Sequence, residues 1–217
     1  MLDSYVVGVD EVGRGPIAGP VCVASFILFD YSLINSKPAP LRDSKKLSQQ
    51  KRNVWYSYLL QAEKDGRCAF SHAFVSASEI DKIGIVPSID FAISECLSSL
   101  KNTVITLNNN KDEIFENKTR VLLDGGLHAP EQYLKQTTII KGDEKEVTIM
   151  LASIVGKVIR DTFMEECSVL YPGYGFEMHK GYGTPKHYLA LKRLGLTPLH
   201  RKSFLRSAQT GSKKVKK

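Results

Sequence analysis

The 217-residue sequence has no closely spaced cysteine pair, no long apolar run and no basic leader at its start. Its four cysteines lie at least 28 residues apart, which excludes the CxxC pairs of zinc and thiol-exchange sites and fits a reducing compartment. No apolar run approaches the ~20 residues that a membrane span needs. The opening residues, MLDSYVVGVD, carry an acid where a signal peptide would be basic. We therefore expect a cytoplasmic protein without membrane contact.

Acidic residues are nearly absent from the last fifth of the chain. Residues 176–217 hold one acid, Glu177, against 11 Lys and Arg, a local charge of +10, whereas residues 1–175 carry −3. Such a basic segment is typical of proteins that bind polyanions, because Lys and Arg displace the counterions of phosphates. A solvated tail would have the same composition, and residues 211–217 alone supply four of the charges. Composition leaves both interpretations open.

Apolar periodicity predicts an α/β fold with one mixed sheet and C-terminal helices packed beside it. Apolar runs at 5–9 and 21–29 flank a glycine-rich turn, which indicates an antiparallel pair. Ser48 is a candidate helix N-cap, and Pro87 is a candidate first residue of another helix. Residues 107–119 are polar and aperiodic, which predicts a surface loop. The other predicted elements are strands at 67–75, 120–124 and from 136, a core helix between 144 and 170, a loop over 171–184, and a helix over 185–194.

Four acids follow apolar runs: Asp10 and the adjacent Glu11, then Asp124, then Asp143. Carboxylates at strand ends beside glycine are poorly placed for burial in a core, so we expect them to converge at one edge of the sheet. Their repulsion would require cations, and Mg²⁺ or Mn²⁺ prefers oxygen ligands. Neighbours on a regular strand face opposite ways, so Asp10 and Glu11 share a site only if the strand ends or bends there. A lone strand-end acid is more often a solvated turn residue or a helix cap.

Three further positions are candidates for contact with a nucleic acid. Arg14 lies between Gly13 and Gly15, a pattern suited to close approach of the backbone and a phosphate contact from the guanidinium. The spacing does not match GxGxxG or GxxxxGK[ST], which weakens a nucleotide-cradle interpretation. Lys45 precedes a predicted helix, and Tyr182 lies among cations, where its ring could stack on a sugar or base. A solvated lysine and a structural tyrosine are the plain alternatives.

Six motifs occur in one order along the chain: GVDEVGRGPIAGPV (8–21), DSKKL (43–47), VLLDGG (121–126), IKGD (140–143), ASIVGKVIRD (152–161) and YGFEMHKGYGT (174–184). Over about Tyr5 to Phe204 this set resembles type 2 ribonuclease H, the bacterial ribonuclease HII. The resemblance implies a ribonuclease H-like fold, a mixed five-stranded sheet flanked by helices with a small helical C-terminal extension. It implies a catalytic domain over 1–175, an extension over 176–210 that contacts substrate, and a basic flexible tail over 211–217.

The resemblance also implies roles for individual residues. The catalytic and metal-binding acids, holding two ions of Mn²⁺ or Mg²⁺, would be Asp10, Glu11, Asp124 and Asp143. The substrate-binding residues would be Gly13, Arg14 and Gly15, which contact the backbone at a ribonucleotide, Lys45 at a phosphate, and Tyr182 at the RNA–DNA junction. Asp161 would either support the site from behind the ligands or have a structural role only.

The implied activity is hydrolysis of the RNA strand of RNA/DNA hybrids and incision 5′ to single ribonucleotides in duplex DNA, which leaves 5′-phosphate and 3′-hydroxyl ends. Hybrids and ribonucleotide-containing duplex DNA are the expected partners, and a monomer is the expected state. The type 3 enzyme shares the first motif but carries an additional N-terminal domain, for which a first strand at residue 5 leaves no room. The sequence departs from the family pattern at Gly126, where Asn is common, and at Gly156, where Ala is usual.

Two other functions are compatible with parts of the pattern. A non-catalytic nucleic-acid-binding module would bind with a strong salt dependence and show no metal-dependent turnover. The four acids argue against it, since phosphate binding needs none of them. A metal-dependent phosphatase of small phosphoesters would leave the basic C-terminal segment without a purpose.

Overall fold

A five-stranded mixed sheet forms the centre of the fold. The structure is a computed structural model that describes residues 5–36, 38–41, 44–107 and 115–209. Its strands are β1 (Tyr5–Val12), β2 (Val21–Leu28), β3 (Cys68–Val75), β4 (Thr119–Asp124) and β5 (Lys135–Ile139), in the spatial order β3-β2-β1-β4-β5. β1 pairs antiparallel with β2, as expected, and β2 with β3. β1 and β4, and β4 and β5, pair in parallel. The predicted α/β fold with one mixed sheet is confirmed.

Helices cover both faces of this sheet. All eight residues of β2 are buried, because each of its faces meets a helical layer. The helices are α1 (Ser32–Asn35), α2 (Gln49–Lys64), α3 (Ala77–Ile83), α4 (Ile85–Leu107), α5 (Phe115–Lys118), α6 (Gly142–Lys145), α7 (Val147–Leu170), α8 (Phe176–His179), α9 (Pro185–Leu194) and α10 (Lys202–Gln209), with a 3₁₀ turn at Ser44–Lys46. The apolar stripe of α4 packs on one face, and α2 and α7 pack on the other.

Two glycines let α7 touch the sheet. A Cβ added to Gly8 of β1 would lie 2.1 Å from the Thr148 carbonyl carbon, so the first turn of α7 rests directly on that strand. A Cβ at Gly156 would lie 3.2 Å from the Ala24 Cβ and 3.3 Å from Val12 Cγ2. Gly156, one of the two glycines that depart from the family pattern, therefore lies at a close helix–sheet contact, and α7 continues through it without interruption.

The structure corrects the loop expected over 107–119. α4 extends to Leu107, a short helix begins at Phe115, and β4 starts at Thr119, while residues 108–114 lie outside the described part of the chain. Phe115 is fully buried, with its ring centroid 5.4 Å from that of Tyr5. One aromatic residue in a polar stretch thus anchors the chain to the core, which apolar periodicity does not reveal.

Helix starts differ from the prediction in one case and agree in another. α4 begins at Ile85, so Pro87 lies in its first turn, where the missing N–H has no helical partner to lose. Ser48 caps α2 as predicted, and its hydroxyl accepts from the Lys51 amide. The short helix α3, before α4, was not predicted.

The C-terminal segment packs against the far end of α7. The stretch expected to be a loop over 171–184 contains α8, whose Phe176 stacks on Tyr174 with ring centroids 5.4 Å apart. Asp81 of α3 accepts from the amides of Lys202 and Ser203, at 2.8 and 2.9 Å, and so fixes the start of α10. Within the described ranges, no single helix is long and apolar enough to cross a membrane. α3 and α4 pass that test only as a pair, bent by 119°.

Candidate active site

Three carboxylates meet where β1 and β4 separate. Val9 and Leu123 are the last pair of their ladder, and one further step of the register sets Asp10 beside Asp124. β1 continues to Val12 through its pairing with β2, so beyond Val9 it has no partner on the β4 side. Asp10, Glu11 and Asp124 can each offer an oxygen within 4.8 Å of the others. The opening between the strands, rather than an end of β1, brings the two adjacent acids to one place.

Burial makes this cluster electrostatically unfavourable without a cation. Asp10 is 3% exposed, and this burial raises the pKa of its carboxyl well above the usual value. A hydrogen bond from the Ser153 hydroxyl lowers the pKa, while the charges of Glu11 and Asp124 raise it further. Burial also raises the pKa of Glu11, against the guanidinium of Arg14 at 3.6 Å. The expectation that these acids avoid burial is therefore wrong for Asp10, which α7 covers, and it is wrong for Asp143 as well.

Asp124 is held by the start of α6. Its Oδ1 accepts from the Gly142 amide at 2.6 Å and from the Asp143 amide at 3.4 Å. A Cβ at Gly142 would lie 2.6 Å from Ile149 Cδ1 and 3.4 Å from this oxygen, so the backbone of Gly142 packs closely against the carboxylate. The backbone of the KGD motif thus orients the carboxylate that ends β4.

Asp143 lies beside the cluster but does not join it. It belongs to the first turn of α6 rather than to a strand end, and it is buried, at 4% exposure. Its Oδ2 pairs with Lys45 Nζ at 3.0 Å. Among the described residues, the carboxylates grouped within 4.8 Å are the other three, so the structure brings the fourth predicted acid close only through its backbone contact with Asp124.

The turn that carries Lys45 is tied to the site by serines. Ser44 Oγ lies 2.7 Å from Ser153 Oγ, and the Ser153 hydroxyl bonds Asp10. From the sequence, neither Ser153 nor Ser44 was assigned a role in the site. The sequence did offer one signal for Ser153, which is a hydroxyl residue at a core-facing position of the apolar helix α7. Asp43 of the same motif lies outside the described residues.

Asp161 lies further along α7 than Ser153 and away from the three acids. Its carboxylate binds Lys157 Nζ at 2.7 Å and lies 3.7 Å from Arg52 Nη2. Arg52 in turn donates to the carbonyl oxygens of Ser44 and Leu47, on either side of Lys45. Asp161 therefore contacts the lysine-bearing turn through Arg52 and does not reach the three-acid cluster.

The glycine-rich turn and Tyr182 form an adjoining surface. Gly13 has φ +87°, which favours glycine, and a Cβ at Gly15 would lie 3.9 Å from Tyr182 Cε1. Tyr182 is 47% exposed, and Arg14 is also exposed. A glycine backbone, a guanidinium and an aromatic ring therefore face solvent together, next to Glu11. Sequence reasoning missed two buried arginines behind this surface, Arg160 and Arg201.

The donor set fits a divalent cation of the Mg²⁺ or Mn²⁺ type. All three grouped ligands are carboxylate oxygens, which these ions prefer, and soft donors are absent from this described cluster. A cation would also relieve the repulsion among Asp10, Glu11 and Asp124.

The family model described as Ribonuclease HII matches residues 7–207. The chain belongs to the ribonuclease HII family. Ribonuclease HII of Shouchella clausii (strain KSM-K16) is 41% identical over 201 residues, covering 92% of this chain and 68% of that protein. The predicted resemblance is confirmed, and the chain is a metal-dependent nuclease of the ribonuclease H type 2 class.

Solved structures show the same fold. The ribonuclease HII in the PCNA:RNase HII complex from Archaeoglobus fulgidus has a TM-score of 0.65 and 23% identity, covering 91% of this chain and 93% of that one. Bst-RNase HIII in complex with Mn²⁺ has a TM-score of 0.59 and 17% identity, covering 96% and 71%. The ribonuclease H-like fold inferred from the motifs is confirmed.

Proposed function

We propose that this ribonuclease HII hydrolyses the RNA strand of RNA/DNA hybrids and incises 5′ to single ribonucleotides in duplex DNA, leaving 5′-phosphate and 3′-hydroxyl ends. One observation carries the proposal: the carboxylates of Asp10, Glu11 and Asp124 gather within 4.8 Å beside the exposed surface of Gly15 and Tyr182. Metal-binding acids and a surface suited to a sugar therefore adjoin, as cleavage at a ribonucleotide requires.

Two ions of Mn²⁺ or Mg²⁺ are the proposed cofactors, held by Asp10, Glu11 and Asp124. Asp143 is the proposed fourth ligand, and it would take up that role when its Oδ2 leaves Lys45. When bound, such ions activate a water for in-line attack and stabilise the charge on the departing 3′ oxygen.

The side chains around the acids bind and orient the substrate. Lys45 and Arg14 are exposed cations that contact Asp143 and Glu11, and each would bind a phosphate of the substrate. The 2′-hydroxyl is the group that separates RNA from DNA at every sugar, so the glycine backbone at 13–15 would read it. Tyr182 would stack on the nucleotide at the junction. Stabilisation of the charge that develops around phosphorus in the transition state would supply most of the rate enhancement.

The decisive experiment uses three matched duplexes: an RNA/DNA hybrid, a DNA duplex with one ribonucleotide, and an all-DNA duplex. With Mn²⁺ or Mg²⁺ the wild-type protein should cut the first two and leave the third intact, and end-labelling should find a 5′-phosphate on the ribonucleotide side of the nick. Asp10→Asn should bind but not cut. Asp30→Asn, which alters a surface acid paired with Arg67, is the control.

Failure of the wild-type protein to cut either ribose-containing duplex, beside an active control nuclease, would refute the enzyme proposal. Strong binding with no turnover would favour the non-catalytic alternative.

We further propose that the protein acts as a cytoplasmic monomer, with residues 1–175 as its catalytic domain and 176–210 as a substrate-contacting extension. Residues 211–217, the expected flexible tail, lie outside the described part of the chain.

A further inference from the structure

Two guanidinium groups are fully buried behind the surface formed by Gly15 and Tyr182. Arg160 of α7 and Arg201, which precedes α10, are each 0% exposed. Within the described part of the chain, neither has a carboxylate oxygen within 4.0 Å, and both are bound to backbone carbonyls instead. A buried cation without an acid partner is costly, so its hydrogen bonds must be satisfied by the groups around it.

Arg201 binds three carbonyls of one loop. Its Nη2 donates to Gly13 O at 2.6 Å, its Nη1 to Arg14 O at 2.9 Å and its Nε to Gly19 O at 2.9 Å. The planar fork of the guanidinium therefore spans both ends of the glycine-rich turn. The Arg201 amide also donates to Ile17 O at 2.8 Å. One residue thus holds the loop at four points, including the carbonyls of the two residues that precede Gly15.

Arg160 joins this loop to the segment that carries Tyr182. Its Nε donates to Pro20 O at 3.0 Å, and its Nη1 donates to Lys180 O at 3.0 Å. A Cβ at Gly13 would lie 2.0 Å from Arg160 Nε, so the guanidinium packs directly on the turn.

Backbone contacts complete the connection. The amides of Ile17 and Ala18 both donate to Gly181 O, at 3.0 and 3.2 Å. A Cβ at Gly181 would lie 2.1 Å from Ala18 O, so the two segments touch along their backbones. The glycine-rich turn and the Tyr182 segment are therefore one unit, bound from behind by two arginines.

We propose that Arg160 and Arg201 are positioning residues that set the preference for ribose, by holding the Gly13–Gly15 backbone and Tyr182 in their recognition arrangement before substrate binds. The inference rests on the proposed function. Preorganisation matters because a loop that becomes ordered only on binding loses conformational entropy, which weakens the affinity. A single 2′-hydroxyl contributes too few contacts to offset that loss. Lysine at either position replaces the planar fork that spans several carbonyls with one flexible amine, so it tests whether the fork itself is required.

The test measures ribose preference by binding, in an Asp10→Asn background that prevents cleavage. Fluorescence anisotropy gives the affinity for a DNA duplex with one ribonucleotide and for the matching all-DNA duplex. We expect Arg201→Lys and Arg160→Lys to reduce the ratio of the two affinities by roughly tenfold, mainly through weaker binding of the ribose-containing duplex. On the wild-type background, the same changes should lower kcat/KM for single-ribonucleotide incision by a similar factor.

Two controls separate positioning from general destabilisation. Arg67→Lys makes the same chemical change in a surface pair with Asp30, near the other ends of β2 and β3, and should keep the ratio. Leu100→Ala removes packing from the α4 layer and should lower the melting temperature without changing the ratio. An unchanged ratio in both arginine variants would overturn the inference, and so would an equal fall in Leu100→Ala.

A measurement on the unaltered protein covers the case in which the arginine variants do not fold. Amide hydrogen exchange of Ile17, Ala18 and Gly19 should be strongly protected without substrate, because these amides donate to Gly181 O and Leu199 O. Exchange at the rate of an open chain would overturn the inference. A wild-type protein that cuts no ribose-containing duplex refutes the proposed function, whereas one that cuts, with variants that keep its preference, refutes only the role of the arginines.

Discussion

Lys45 Nζ lies 3.0 Å from Asp143 Oδ2 and keeps the fourth acid of the predicted set paired with a cation. The lysine side chain is 72% exposed, whereas the carboxylate is buried. Lys45 also lowers the pKa of Asp10, although less than burial raises it. The Lys45 ammonium thus lies close to a cluster that would bind divalent cations. It would compete with such a cation for the carboxylates of Asp143 and Asp10.

Removal of that charge should strengthen metal binding while it weakens substrate binding. For Lys45→Met we expect Mn²⁺ affinity to rise about fivefold, the scale of an exposed ion pair, in calorimetric titration without substrate. KM for a hybrid should rise, since a phosphate contact is lost. Lys46→Met is the matched control, because Lys46 pairs with Glu144 at 3.0 Å, outside the three-acid cluster. Weaker Mn²⁺ binding in Lys45→Met would contradict this account.

Asp10→Asn should abolish cleavage and stabilise the metal-free protein. The buried carboxylate loses its repulsion from Glu11 and Asp124, so we expect a gain on the order of 1 kcal/mol, or about 2–4 °C in melting temperature. Thermal unfolding in a chelator, with and without added Mn²⁺, checks the prediction. Added Mn²⁺ should stabilise the wild type more than the variant. A melting temperature below that of the wild type in chelator would show that Asp10 has structural partners that outweigh the repulsion.

Tyr182→Ala should reduce single-ribonucleotide incision more than it reduces binding to a generic duplex. Loss of aromatic stacking on a base costs roughly 1–3 kcal/mol, which corresponds to about fivefold to more than a hundredfold. Tyr182→Phe keeps the ring and should retain most of the activity. Tyr31→Ala, an exposed tyrosine beside α1, should have no effect. Equal losses of incision and generic binding in Tyr182→Ala would argue against a role at the junction.

The free energy of unfolding should fall in weak acid, because two buried histidines are hydrogen-bonded to each other as neutral rings. The Thr197 amide donates to His200 Nδ1 at 2.9 Å, so His200 Nε2 carries the proton and donates to His187 Nε2 at 3.1 Å. His187 Nδ1 then donates to Tyr182 O at 2.9 Å. A further proton on His187 Nε2 would face the proton that His200 donates, so charging the His187 ring breaks this chain of bonds.

Burial accordingly lowers the pKa of His187 from 6.5 to about 4. The unfolded chain binds more protons between these values, so the contribution of His187 is complete above pH 6.5 and is lost as the pH falls toward 4. The loss should approach about 3 kcal/mol and appear in melting temperatures measured from pH 7.5 to 4.5. His187→Asn should flatten this profile, and His128→Asn, at an exposed position, should not. A wild-type profile that does not decline would contradict the neutral pair.

Asp161→Asn distinguishes the two roles that the sequence left open. The change leaves Lys157 and the largely buried Arg52 without their acid, so we expect a loss of about 1–3 kcal/mol in unfolding free energy. If Arg52 then releases the Ser44–Lys46 turn, KM for a hybrid should also rise, because Lys45 shifts. Glu79→Gln, in an exposed pair with Lys82, is the control. A stability loss with unchanged KM would assign Asp161 a structural role only.

The sequence by itself determined the strand pattern, the family and the acids that meet at the separation of β1 and β4. Apolar runs report local burial, and Asp10, Glu11 and Asp124 hold fixed positions in β1 and β4, strands whose register is set by that burial. Ser48 as a cap and the long core helix α7 follow from the same local rules.

Only the tertiary structure decided the burial of Asp10, the pairing of Asp143 with Lys45, the anchoring of Phe115 and the positions of Arg160 and Arg201. The Arg201 side chain meets Gly13 O across 188 positions of the chain, and Arg160 meets Pro20 O across 140. Periodicity tells which face of a helix is apolar, but not which distant carbonyl a guanidinium reaches. That choice depends on how helices and loops pack on the finished sheet, and here it fixes the surface that would read the substrate.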